Sequence, residues 1–211
     1  MTNIHSVYRI FQDRFRPKRM RQFVEICDVK NGDHILDVGG TPLNWSYISV
    51  EPEITIGNIG EEDRDEGRFS FRNLDGTKLP FNDASFDIAF SNSVIEHVGD
   101  WDKQMQFADE IRRVAKYYYV QTPNRWFFIE PHFISPLIHF LPRPVYRKLL
   151  PFFSLWYWIT WPTPQKVDQL FEEIRLLNEA QMRELFPDAL LIKEKFLFFT
   201  KSLIAVRAPQ A

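Results

Sequence analysis

The chain of 211 residues has one cysteine, Cys27, which excludes an intramolecular disulfide framework and a multi-cysteine zinc cage. It also lacks charge of one sign: 26 Lys plus Arg against 28 Asp plus Glu leave a net charge of −2. A dedicated nucleic-acid binder needs a basic excess to neutralise phosphates, so no nucleic-acid partner is expected. Long apolar runs are missing as well. The longest, Phe152 to Trp161, falls well short of the roughly 20 residues that a bilayer crossing requires. The polar stretch Met1 to Ser6 and the arginines after it contain no apolar block of signal-peptide length. The expectation is a cytoplasmic protein, with peripheral contact at the inner face of a membrane left open.

Aromatic residues are abundant. There are 20 Phe, 6 Trp and 7 Tyr, and 15 of these 33 lie within residues 117–161. Ahead of them, short apolar runs alternate with helical periodicity. Val7 to Asp28 reads as a helix with apolar Ile10, Phe11, Phe15, Met20, Phe23, Val24 and Cys27, interrupted near Pro17, its basic residues forming a solvated face. His34–Val38, Ile54–Ile59, Phe69–Leu74, Phe86–Ser91 and Lys116–Thr122 read as strands, and Asp102–Val114 as a helix. The acidic run Glu61 to Glu66 reads as a solvated loop. Beyond Arg125 no single period explains the chain until helical order resumes at Thr163–Leu177 and Glu179–Leu185, followed by closing strands Leu190–Phe199 and Ser202–Val206. Alternating strands and helices predict a doubly wound, Rossmann-like α/β fold with a mostly parallel sheet.

In such a sheet, ligands bind beyond the carboxyl ends of the strands. Asp37, Gly39, Gly40 and Thr41 follow the first strand, Asn58 ends the second, Asp75-Gly76 follow the third, and Ser91-Asn92-Ser93 end the fourth. Turn geometry accounts for each alone but not for four polar strand ends on one crevice.

These residues resemble a known family. Ile35-Leu36-Asp37-Val38-Gly39-Gly40 is similar to the first motif of class I S-adenosylmethionine-dependent methyltransferases of the type 11 kind. Asp75 to Phe81 and Ser85 to Val98 resemble that family's middle motifs. The resemblance spans residues 20–123 and the closing strand pair, and implies a seven-stranded sheet. It implies S-adenosylmethionine as cofactor, its methionine end at Asp37, Gly39, Gly40 and Thr41. It places Asn58 where an acid usually meets the ribose, Asp75 and Gly76 at the adenine, and Ser91 and Asn92 on the floor near the sulfonium. Two departures stand out: Thr41, Pro42 and Leu43 replace later glycines or small residues, and the helix after the loop looks shortened. A non-catalytic Rossmann-like binding protein is therefore an alternative. A nicotinamide-dependent oxidoreductase would need a fuller Gly-x-Gly-x-x-Gly turn than is present.

The resemblance places the acceptor after the fifth strand, where Asn124, Trp126, Glu130 and His132 are the candidate contacts. His132 is the preferred general base and His97 the second candidate; Glu130 would fix the tautomer of His132 if an irregular backbone let the two converge. Glu96-His97 opens the next helix in this reading. In ubiquinone-pathway O-methyltransferases a similar Glu-x-x-Glu-His sequence supplies metal ligands, but Ser93 stands at its first position here. Two ligands make a poor divalent site, and no metal is expected. Residues 125–164 read as an aromatic cap inserted in a single methyltransferase domain spanning 1–211. Its rings and basic residues suit a glycan, lipid-linked or other amphiphilic small acceptor, methylated on a hydroxyl. Oligomeric state is not readable.

Overall fold

A computed structural model describes residues 4–209; the side chains at positions 5, 7 and 9–13 lie outside the described set, and with them the expected apolar positions Ile10 and Phe11. The first helix, α1 (Ile4–Cys27), leads to β1 (His34–Val38), whose last four residues are buried. The sequence alternates across this strand: Ile35 packs on one face of the sheet with Phe23, Trp45 and Phe90, while Leu36 packs on the other with Phe107, Ile111 and Leu203. Burial on both faces explains why the strand reads as a continuous apolar run. Helix α1 and the four-residue helix α2 (Pro42–Trp45) cover one face, and α3 (Trp101–Val114) with α7 (Glu179–Leu185) cover the other.

The sheet has eight strands. In spatial order these are β3 (Arg64–Glu66), β4 (Phe69–Asn73), β2 (Glu53–Asn58), β1, β5 (Phe86–Asn92), β6 (Ala115–Pro123), β10 (Phe199–Arg207) and β9 (Leu190–Phe196). The strands from β4 through β6 are mutually parallel, while β3, β10 and β9 join by antiparallel pairing. The strand beyond the expected seven is β3, built from the second half of the acidic run read as loop. All three of its residues are exposed, so no buried face marks it in the sequence. Arg64 holds it between Glu61 and Glu66 and lies over the Phe71 ring at 3.7 Å.

Three further boundaries differ from the sequence reading. Helix α1 runs through Pro17 without interruption. Glu96 and His97 lie in a separate 3₁₀ turn, Ile95–His97; α3 starts afresh at Trp101, where the Asp100 side chain accepts from the Lys103 amide at 3.0 Å. The closing strands meet at a turn over Leu197 and Phe198 rather than after Phe199.

Between β6 and α7 lies the aromatic segment: a two-stranded ribbon of β7 (Ile129–Glu130) and β8 (Ser135–Pro136), then α4 (Arg143–Phe153), α5 (Leu155–Thr160) and α6 (Pro164–Glu173). It has a core of its own, in which Phe133 meets Trp156 edge-to-face at 5.2 Å and Tyr146 at 5.8 Å. Ile4 and Tyr8 of α1 join this core, so α1 packs on the sheet with one end and on the cap with the other.

Candidate active site

The turn after β1 is backbone pressed against side chain. Gly39 adopts φ +75, and a Cβ on Gly40 would fall 1.8 Å from Asp37 Oδ2. Only glycine allows that approach. Asp37 is wholly buried. Trp45 Nε1 donates to its Oδ2 at 2.8 Å, and its Oδ1 has no hydrogen-bond partner among the described residues. Burial drives the Asp37 pKa up to about 7, against the opposing effect of the Trp45 hydrogen bond.

The other expected cofactor contacts surround this turn. Asn58 Nδ2 donates to the Gly40 carbonyl at 3.1 Å, and Ser91 Oγ to the Val38 carbonyl at 3.1 Å. Asp75 is exposed; its Oδ1 accepts from the amide and hydroxyl of Thr77, which lower its pKa and keep it charged. Gly76 lies buried beneath Phe107 and Val38, with no space for a Cβ. Thr41 is exposed and makes no side-chain cap to α2, whose four residues confirm the shortening seen in the sequence.

Asn92 is not a free floor residue. Arg19, from the helix stretch read as a solvated basic face, is only 5 % exposed. Its Nη1 donates to Asn92 Oδ1 and, at 3.0 Å, to Gln121 Oε1; its Nη2 donates to Glu194 Oε2 at 2.7 Å. Burial opposes the charge of Glu194, but Arg19 and Lys201 override it and hold its pKa down at about 2. Arg19, Asn92, Gln121 and Glu194 thus form one hydrogen-bonded network. Sequence reasoning missed this network because a buried arginine declares itself only through partners distant in the chain.

On the acceptor side, Glu130 and His132 do converge. The chain turns sharply after β7, with Ile134 at φ +46, and Glu130 Oε1 accepts from His132 Nδ1 at 2.6 Å while its Oε2 accepts from the Phe133 amide at 2.7 Å. His132 Nε2 then faces His97 Nε2 at 3.1 Å. The Tyr8 hydroxyl donates to the His132 carbonyl at 2.5 Å. Burial works to lower the His132 pKa, but the charge and hydrogen bond of Glu130, aided by Glu96, raise it above the ordinary value. Burial and the neighbouring His132 push His97 down to about 4. Glu96 is fully buried, and Thr122 Oγ1 donates to its Oε2 at 2.9 Å.

The remaining acceptor candidates are spread out. The Asn124 side chain is spent on the chain itself, donating to the Thr200 carbonyl at 2.9 Å and accepting from the Trp126 amide at 3.2 Å. Trp126 stands on the outer surface stacked with Phe140, near the Phe128–Phe199 pair. The cap aromatics divide. Phe133 and Trp156 are core, while Trp158, Trp161 and Phe152 are exposed; outside the cap, Phe198 in the turn between the closing strands is exposed too.

The fold is Rossmann-like, a class of sheet in which ligands sit beyond the carboxyl ends of the parallel strands. The family model described as a methyltransferase domain matches residues 48–117. An uncharacterized methyltransferase of Mycobacterium sp. (strain KMS) is 34% identical over 95 residues, covering 40% of this chain and 35% of the relative. The chain therefore spans about a third of the curated relatives it matches. Among solved structures, a SAM-dependent methyltransferase of Methanosarcina mazei has a TM-score of 0.50 at 18% identity, covering 86% of this chain and 95% of its own. A phosphoethanolamine N-methyltransferase of Haemonchus contortus, solved with S-adenosyl-L-methionine, has a TM-score of 0.52 at 14% identity over 81% of this chain and 37% of its own. The matched segment resembles that methyltransferase domain, and the fold is shared with solved methyltransferases, one of them bound to S-adenosyl-L-methionine. The residues of this chain fit that cofactor: the turn at Gly39 and Gly40 admits no side chain, and Asp37 keeps an unpaired buried oxygen suited to a cationic group.

Proposed function

We propose that the protein methylates an acceptor oxygen, a hydroxyl on a glycan, lipid-linked or other amphiphilic small molecule, met between the strand ends and the cap of residues 125–164. Asp37, Gly39, Gly40 and Thr41, with Asn58, Asp75, Gly76, Ser91 and Asn92, would hold S-adenosylmethionine, which supplies an electrophilic methyl group when bound. The observation that carries the oxygen reading is the ordered pair Glu130 and His132. With Nδ1–H given to Glu130 at 2.6 Å, neutral His132 presents a lone pair at Nε2 that accepts a hydroxyl proton. His97, its pKa lowered by desolvation and by the neighbouring His132, stands beside that lone pair as a second polar contact. Alignment of acceptor and methyl group supplies most of the rate in such a reaction, so the two histidines act chiefly by fixing where the hydroxyl lies.

The exposed rings support an amphiphilic acceptor drawn from a membrane surface. Trp126, Phe140, Phe198 and Phe199 come from three separate loops, and Trp161 is 80 % and Phe198 94 % exposed. Among the described residues no helix is long and apolar enough to cross a membrane, so the contact proposed is peripheral.

Calorimetry with S-adenosylmethionine and S-adenosylhomocysteine tests the reading, followed by transfer of radiolabelled methyl to a panel of hydroxylated glycans and lipids. Binding by neither returns the chain to a non-catalytic role. With binding in hand, Asp75→Ala should weaken it about tenfold. Flotation with liposomes should fall in Phe198→Ser and Trp161→Ser. A parent protein that does not float rejects membrane contact.

A further inference from the structure

We propose that Glu96, His97 and His132 form a divalent-cation site for Zn²⁺, with Glu130 as its outer support. One carboxylate oxygen of Glu96 and one ring nitrogen from each histidine lie within 4.8 Å of one another. The two Nε2 atoms face each other at 3.1 Å. Two nitrogens bound to a tetrahedral zinc at about 2.0–2.1 Å stand about 3.3 Å apart, so the pair needs almost no movement to clasp an ion. Behind His132, the Glu130 carboxylate takes the Nδ1 proton at 2.6 Å and is anchored by the Phe133 amide. That leaves Nε2 as the ligating atom and reproduces the carboxylate–histidine–metal arrangement found around bound zinc.

Glu96 supplies the independent observation. Its side chain is completely buried, Thr122 fixes Oε2, and Oε1 has no partner among the described residues. An unpaired buried carboxylate oxygen is costly, and a cation beside it removes the cost. Glu96 and His97 are adjacent on the 3₁₀ turn, and Ser93 withholds a second carboxylate three residues earlier. His132, 35 residues beyond His97, supplies the third ligand that the local sequence lacks. Three protein ligands leave one position open, and the exposure of His97 puts the site within reach of solvent. An oxygen bound there loses its proton more readily. In the methyl-transfer reading, on which this role rests, that oxygen is the acceptor's. Without the ion the His132 lone pair takes the acceptor proton; with it bound the same lone pair would ligate, and the proton would pass to solvent.

The test uses chelator-stripped full chain titrated with Zn²⁺, and with Co²⁺ read by its visible absorption. One equivalent should bind, with the intense bands of a tetrahedral ion. Affinity should fall at least 100-fold in His97→Asn and in Glu96→Gln, and 10- to 100-fold in Glu130→Gln. His34→Gln, at the opposite end of β1, should bind as the parent does. His97→Asn keeps the assay interpretable because the exposed ring can be replaced without opening the core; circular dichroism checks the fold. No stoichiometric binding, or binding that survives His97→Asn combined with Glu96→Gln, overturns the site. Calorimetry with S-adenosylhomocysteine on the same stripped sample separates the two readings. Cofactor binding without Zn²⁺ binding removes only the cation site, and Zn²⁺ binding without cofactor binding removes only the methyl-transfer role.

Discussion

At the scale of the residue, two buried charges set measurable behaviour. Asp37 has its pKa raised by burial to about 7, against about 3.9 when unfolded. A carboxyl raised on folding costs stability once the unfolded chain ionises. The cost grows as pH rises from about 4 to about 7 and is constant above. Urea denaturation across that window should show the parent losing up to about 1.4 kcal/mol per pH unit relative to Asp37→Asn. The same substitution should weaken cofactor binding. A variant whose stability tracks the parent at every pH would place the carboxyl elsewhere. Glu194 has the opposite sign. Its pKa is depressed to about 2, so its contribution is complete above about pH 4.5 and disappears as pH falls through 2. Its partner Arg19 is equally exacting: Arg19→Met should cost about 3 kcal/mol by leaving Glu194 with Lys201 alone as counter-charge, and adding Glu194→Gln should recover much of it. Additive single effects would rule out the pairing. Arg19 was not legible in the sequence, and the contact between Glu130 and His132 was legible only as conditional on the backbone. A basic residue on a helix reads as solvated, and two side chains two positions apart meet only where the backbone turns irregularly.

At the scale of the element, the central strands were the most legible part. Residues 34–38 and 86–92 are short, apolar and bounded by turn residues, which is how a strand buried on both faces must look. The four polar strand ends followed from them. The edge strand at Arg64–Glu66 was not legible, since it buries no face and owes its existence to pairing with β4. The cap was illegible for a different reason: its helices are short, two of them start on or beside a proline, and their apolar positions serve a separate core. Phe133 is the centre of that core, packed against Trp156, Tyr146 and Phe171. Phe133→Ala should cost about 3–5 kcal/mol and shift Trp156 fluorescence to the red. The backbone amide of residue 133 that anchors the Glu130 carboxylate is kept in this variant, so the ordering of His132 should survive. An unchanged emission spectrum would show that Trp156 does not depend on this contact.

At the scale of the whole molecule, two layers of helices enclose the sheet and a second core sits over one end of it. Native-state hydrogen exchange should resolve them. Amides of β1, β5 and β6 should open only with global unfolding, and those of α4 and α5 at lower free energy, because the cap core is small and its outer residues are wet. Identical exchange energies in strands and cap would mean a single cooperative unit.

Helix α1 spans the two cores, and its attachments have a consequence for the order in which the molecule is completed. Tyr8 meets a partner 124 positions later in the chain and Arg19 one 175 positions later. A helix made early therefore waits for the cap and then for β9 before its buried arginine has a counter-charge. Contacts this distant are slow to form, since loop closure must precede their reward. During synthesis α1 would carry an exposed apolar face for most of the time the rest is being made, which makes it the segment a chaperone would hold and the last to be locked into place.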